Sequence, residues 1–195
     1  MTPEKKPGRP RSETARKAIL SATARLLEQC PIRELTIEGI AKEAGVGKPT
    51  IYRWWDGKCS LVMDAFFASA VPRAPFTETG SVIQALTDQV RLLIRLLAGP
   101  SGRIIAEMIG EGQAQPQVMQ RFRERFFSQL LDPARSLIER GKQAGEIDKT
   151  LDTELAIDLI YGPIYYRLLI GHQPLDDAFI SALPARVMAA LSCGR

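Results

Sequence analysis

Histidine and cysteine are scarce in this 195-residue chain, and each scarcity narrows what it does. The three cysteines, Cys30, Cys59 and Cys193, are odd in number and widely spaced. That fits neither a disulfide framework nor a zinc-ligand pattern, so reduced thiols and no metal site are expected. With His172 the only histidine, a Ser/His/Asp triad or histidine metal site would rest on that residue alone. There is no phosphate-cradling glycine loop and no nucleophile paired with a base, so no enzyme and no cofactor are expected. Long apolar runs are missing as well. The longest, Leu155–Ile170, is interrupted by Asp158, Pro163 and Arg167 and falls short of a bilayer span. The polar stretch Met1–Lys17 does not read as a secretory signal, and the expected location is the cytoplasm, with no membrane partner.

Strand-like alternation is also absent, while apolar residues recur at helical spacing throughout, so the expected fold class is all-α. A hydrophobic fraction of 45% suffices for a folded core. The basic charge is gathered at one end. Residues 1–58 carry twelve Lys/Arg against seven Asp/Glu, and the rest of the chain carries 14 against 15, as expected when one end faces a polyanion. The spacing divides the chain into a disordered basic arm (1–11), a small helical domain (12–70) and a larger helical domain (77–195). The stretch Val71–Phe76, with Pro72 and Pro75, is the boundary.

In the small domain, Ser12 caps a first helix that ends near Cys30 and Pro31, and Thr36 caps a short second helix. Gly45 closes that helix and Val46 plugs the turn. A third helix runs from about Gly47 to Trp55, with Pro49 in its first turn. Two helices joined by so tight a turn form a DNA-binding geometry when the second presents a reachable polar face. At about 100° per residue, Ile51 and Trp55 point to the core. Pro49, Thr50 and Arg53 point away, with Tyr52 and Trp54 on either side. Lys48, Thr50, Tyr52, Arg53 and Trp54 suit phosphates, base edges and thymine methyls.

The string TIEGIAKEAGVGKPTIYRWWDGKCSLV, Thr36–Val62, resembles the DNA-binding segment of the tetracycline-repressor (TetR) family of bacterial regulators. The likeness covers roughly residues 12–69. Its most specific elements are Ala44–Val46, the Thr-Ile-Tyr of the third helix, and Lys58. It implies that Thr36, Lys48, the Tyr52 hydroxyl, the Trp54 indole and Lys58 hold phosphates of double-stranded DNA. Pro49, Thr50 and Arg53 would lie in the major groove, with Arg53 bidentate to a guanine. Gly47 departs from the Ser/Thr that many relatives carry there. The arm around Arg9 and Arg11 resembles an AT-hook core that would enter the minor groove; a basic tail of non-specific affinity is the other reading.

The larger domain reads as helices at approximately 79–98, 101–113, 116–143, 152–171 and 175–191, about nine in the whole chain. The first, apolar nearly all round, should be buried inside a bundle. The resemblance implies a small-molecule effector here. Arg103, Glu107, Met108, Phe122, Phe126, Tyr161 and Tyr165 are the candidate contacts, as polar or aromatic groups on otherwise apolar helices. Surplus apolar surface on the last two helices suggests a homodimer interface of Leu155, Leu159, Ile160, Ile164, Leu168, Phe179, Leu183, Val187 and Leu191. The expected function is thus a ligand-responsive repressor that binds a palindromic operator as a dimer. The alternative is an architectural DNA-binding protein without an effector.

Overall fold

The computed structural model describes residues 12–69 and 80–192. Arg9, Arg11 and the boundary stretch Val71–Phe76 lie outside the described residues. The chain divides into two compact units, Met1–Val71 and Pro72–Arg195, and among the described residues both are built of helices without strands.

The first unit contains α1 (Glu13–Gln29), a 3-10 turn (Ile32–Glu34), α2 (Ile37–Glu43), α3 (Lys48–Tyr52) and α4 (Lys58–Ser69). Ser12 Oγ accepts from the Ala15 N–H at 3.3 Å and Thr36 Oγ1 from the Gly39 N–H at 3.0 Å. Each thereby satisfies one amide that the helix cannot, typically about 1 kcal/mol. The α2–α3 turn is closed by two bonds, from the Gly45 N–H to the Lys42 carbonyl at 3.2 Å and from the Val46 N–H to the Ala41 carbonyl at 2.9 Å. This pairing requires a left-handed residue between them, and Gly45 supplies it with φ +65°. Ile19, Leu20, Ile37, Ile40, Ala41, Ile51, Trp55, Leu61 and Ala65 form one core, against which Val46 and Trp54 pack.

The second unit contains α5 (Val82–Ala98), α6 (Pro100–Ala114), α7 (Pro116–Phe122), α8 (Ser128–Ala144), α9 (Thr153–Ile170) and α10 (Asp177–Leu191). A π-helical turn, Arg123–Phe127, joins α7 to α8 where the apolar spacing predicts one uninterrupted helix. Counted with α7 and α8 as one rod, nine helices stand among the described residues. Helix α5 packs against α6, α8, α9 and α10. It is not buried all round, since Leu92 is exposed and Leu96 half-exposed. The buried set Val82, Leu86, Val90, Leu93, Ile94 and Leu97 follows a single helical face. Helix α6 approaches the end of α5 so closely that a Cβ on Gly102 would stand 1.9 Å from the Leu97 carbonyl oxygen. The Glu146 carboxylate caps α5 from beyond α8, accepting from the Val82 and Ile83 N–H groups at 3.2 and 3.3 Å and from the Ser81 hydroxyl. Helix α9 runs unbroken through Pro163.

The nine interface candidates separate by burial. Ile160, Ile164 and Leu191 are fully enclosed in the protomer, and Phe179 and Val187 nearly so. Their side chains are consumed by the unit's own core, which corrects the expectation that all nine face a partner. Leu155 and Leu159 are exposed, while Leu168 and Leu183 are half-buried.

Candidate nucleic-acid interface

Ile51 has no exposure and Trp55 very little, and the two anchor α3 from the inside. The Trp55 Nε1–H donates to Asp64 Oδ2 on α4 at 3.0 Å, so its single polar group is satisfied at the rim of the core. Helix α3 itself stops at Tyr52, shorter than the spacing predicts; the Trp54 N–H closes a tighter three-residue turn on the Ile51 carbonyl at 2.9 Å, and that carbonyl also accepts from the Trp55 N–H at 3.0 Å. Arg53 keeps right-handed helical dihedrals and therefore continues the same screw. Gly47 is the residue before α3 and makes no side-chain cap.

The outward set follows from those anchors. Lys48, Pro49, Tyr52 and Arg53 are exposed, with Tyr52 at 56%, and Thr50 is half-buried. A tyrosine so open on a folded unit carries its hydroxyl into solvent. Thr36 lies exposed at the start of α2, and a hydroxyl that accepts from Gly39 still has its own proton to donate. The Lys48 Nζ meets Glu38 Oε1 at 2.8 Å, which lowers the Glu38 pKa and raises that of Lys48, mainly through this hydrogen bond.

Two of the sequence candidates have structural duties. The Lys58 Nζ donates to the Ile32 carbonyl at 2.8 Å and to that of Arg33 at 3.5 Å, tying α4 to the turn before α2. Trp54 is half-buried, its ring packed beside Trp55 at 6.3 Å and covered by the Arg16 guanidinium at 5.6 Å. Arg16 itself was not singled out by sequence reasoning. Its contact joins α1 to the turn after α3, and no local pattern announces a pairing between residues so far apart. Across the same unit Arg25 on α1 pairs with Glu43 on α2 at 2.9 Å. Among the described residues no cluster of histidine, cysteine or carboxylate suits a metal ion.

The effector candidates lie in the second unit. Met108, Phe122, Phe126 and Tyr161 are buried, and Arg103 pairs with Glu107 one turn along α6 at 3.0 Å. The Tyr161 and Tyr165 hydroxyls are enclosed without a hydrogen-bond partner.

Comparison with known proteins supplies context for both units. Residues 19–65 match the profile of the bacterial regulatory proteins of the tetR family, and residues 76–187 match the tetracyclin repressor-like C-terminal domain. The chain is 42% identical over 180 residues to the HTH-type transcriptional regulator YdeS of Bacillus subtilis (strain 168), spanning 92% of this chain and 91% of that one. Among solved structures it is similar to the TetR family transcription regulator SCO0332, with 31% identity, a TM-score of 0.75, and coverage of 92% of this chain and 99% of that one. The fold is shared by the regulator FadR from Bacillus subtilis, solved in complex with stearoyl-CoA, at 20% identity and a TM-score of 0.73, covering 90% of this chain and 99% of that one.

Proposed function

This chain belongs to the TetR family of bacterial transcriptional regulators, and on that premise we propose that it is a ligand-responsive repressor occupying a palindromic operator as a two-fold dimer. The observation that carries the reading is the presentation of Pro49, Thr50 and Arg53 by a helix pinned from within by Ile51 and Trp55. Arg53 reads a guanine, while Pro49 and Thr50 make apolar and hydroxyl contacts to base edges. Thr36, Lys48, Tyr52, Trp54 and Lys58 set the register on phosphates. Arg9 and Arg11 add minor-groove or backbone contacts beside the operator. The relatives are regulators, and the same reading makes this chain a cytoplasmic binding protein without catalysis.

For the dimer, the sequence of α9 offers a face of its own. Leu155, Leu159, Gly162, Tyr166 and Leu169 are exposed at spacings of four, three, four and three residues, which is one stripe of a helix. On α10 the exposed positions include Ala178, Ala182, Ala185 and Ala189, a second stripe that lets a partner backbone come close. Pairing these stripes about a two-fold axis gives a four-helix bundle and accounts for large apolar groups left in water. A small molecule among Arg103, Glu107, Met108, Phe122, Phe126, Tyr161 and Tyr165 then alters the separation of the two α3 helices. A complete switch needs about 10⁴-fold preference for one state. The stearoyl-CoA held by FadR supports the idea that a bundle of this shape takes a small-molecule signal.

Selection of bound duplexes from a random pool, combined with genomic footprinting, tests the reading. The expected result is a palindrome whose half-sites are one helical turn, about 34 Å, apart and which lies at few promoters. Dispersed sites without a palindrome would establish the architectural reading in its place.

A further inference from the structure

Three polar atoms inside the second unit have lost water without gaining a partner. They are Gln89 Oε1 on α5 and the hydroxyls of Tyr161 and Tyr165, one turn apart on α9. The Gln89 Nε2–H donates to the Leu130 carbonyl on α8 at 3.2 Å, which holds the amide and leaves its oxygen free. Gln89 stands near enough to the Tyr161 hydroxyl to offset a little of the pKa rise that burial imposes, yet neither oxygen closes a bond of ordinary length. Burial raises the pKa of Tyr165 too. Both phenols therefore remain protonated and present neutral O–H donors.

An aromatic patch adjoins the last of them. The Tyr165 ring meets Phe127 at 5.6 Å, and Phe127 stands edge-on to Phe122 and Phe126 at 5.5 and 5.6 Å. Phe122 and Phe126 stack at 5.2 Å with only 9° between their planes. Phe126 and Phe127 belong to the π-helical turn, a conformation that persists only where its surroundings hold it and that recurs at functional sites. A single orphan hydroxyl beside apolar rings is destabilising, and natural cores avoid it. Three orphan oxygens from two helices, one of them on a ring that meets this aromatic patch, are what a protein keeps when something else completes them.

Building on the reading of this unit as ligand-responsive, we propose that Gln89, Tyr161 and Tyr165 are the polar contacts for an uncharged ligand with a flat aromatic body. A carbonyl-type oxygen of the ligand accepts the tyrosine protons, and an N–H or O–H of the ligand donates to Gln89 Oε1. An anion is disfavoured because the three groups carry no compensating charge in a low-dielectric setting.

Three probes of nearly equal shape test this in the full chain by ligand-observed NMR titration: benzamide, benzoate and cumene. Benzamide carries the acceptor and donor, benzoate adds a charge, and cumene has neither. Benzamide is expected to bind at least tenfold more tightly than either of the others. Tyr161→Phe/Tyr165→Phe is expected to weaken benzamide at least tenfold while melting at or above the temperature of the native chain, because it deletes hydroxyls that lack partners. Each single substitution is measured beside it, so that one poorly folding variant does not decide the outcome. Equal or tighter binding of benzoate, equal binding of cumene, or no binding of any probe overturns the proposal. So does a fall in melting temperature in both single variants, since it would mean that the fold or buried water already satisfies the hydroxyls. Operator binding is followed in parallel. If it persists while the probes fail, only this ligand chemistry is wrong; if it is absent, the regulator reading falls with it.

Discussion

Lys48 Nζ and Glu38 Oε1 lie 2.8 Å apart, linking the second residue of α2 to the first residue of α3. Both side chains are exposed, so the pair is open to exchange with solvent ions. In the docking proposed above, Lys48 would face a phosphate. On that proposal the Glu38 carboxylate would be an internal anion in the seat that the DNA backbone takes over, and docking would swap one negative partner for another.

Replacing Glu38 by Gln removes that competitor. Affinity for operator and for random duplex should rise together, about 3- to 10-fold, with no change in base preference, because phosphate contacts carry no sequence information. Acid should act in the same direction. The Glu38 pKa is depressed, so the ion pair is complete at neutral pH and is lost as pH falls through that lowered value. Fluorescence anisotropy titrations from pH 7 downward check both effects, and equal affinities for the native and Gln forms would show that the pair does not compete.

Arg53 and Lys58 should separate cleanly. Arg53→Ala should cost about 1–3 kcal/mol at the operator and relax one base position. Lys58→Ala should weaken all duplexes alike and also destabilise the fold by about 1 kcal/mol, because its ammonium binds the Ile32 carbonyl. Duplex selection reads the first effect and thermal melts the second.

Local signals made much of this fold legible. Ser12, Thr36 and Gly45 act at helix ends through neighbours three or four residues away, and each does in the structure what its position announces. Side-chain partners brought by tertiary packing were not readable. Lys58 gains its carbonyls from residues 26 and 25 positions earlier, and Gln89 meets Tyr161 only because α5 packs on α9. Helix α9 is apolar on two faces, so periodicity alone gives no reason to turn Ile160 and Ile164 inward and Leu155 and Leu159 outward. The π-helical turn is hidden for a related reason. Phe122 and Phe126 stand four residues apart, a spacing that an ordinary α-helical face shows as well.

The exposed stripe on α9 predicts its own disruption. Leu159→Glu should leave the helical content of the protomer intact and convert a dimer to a monomer at micromolar concentration. Ile160→Glu, one residue along, should unfold the unit, because it buries a charge where Ile160 has no exposure. Light scattering with circular dichroism distinguishes the two, and a Leu159→Glu dimer would remove α9 from the interface.

Glu146 gives the second unit an acid-sensitive clasp. Its pKa is lowered chiefly by the Ser81 hydroxyl and further by the Val82 and Ile83 amides. The stabilisation is therefore present above the unfolded carboxylate value of about 4.3 and is lost as pH falls through the depressed folded value. Glu146→Gln should cost about 1 kcal/mol at pH 7, like the loss of a helix cap, and this difference from the native chain should shrink in acid. Thermal melts at pH 7 and below pH 4 check it.

Helix α3 is only five residues long, and its hold on the fold passes through Ile51 together with Trp55 just beyond its end. Pro49 and Arg53 are exposed on the other side, with Thr50 half-buried between them. On the proposed docking, folding and reading would be written on opposite sides of the same short segment, as type is set in a fixed block. Exchanging the outer letters should then redirect the protein to a different operator without disturbing the block, so that its DNA address would drift while its architecture stays constant.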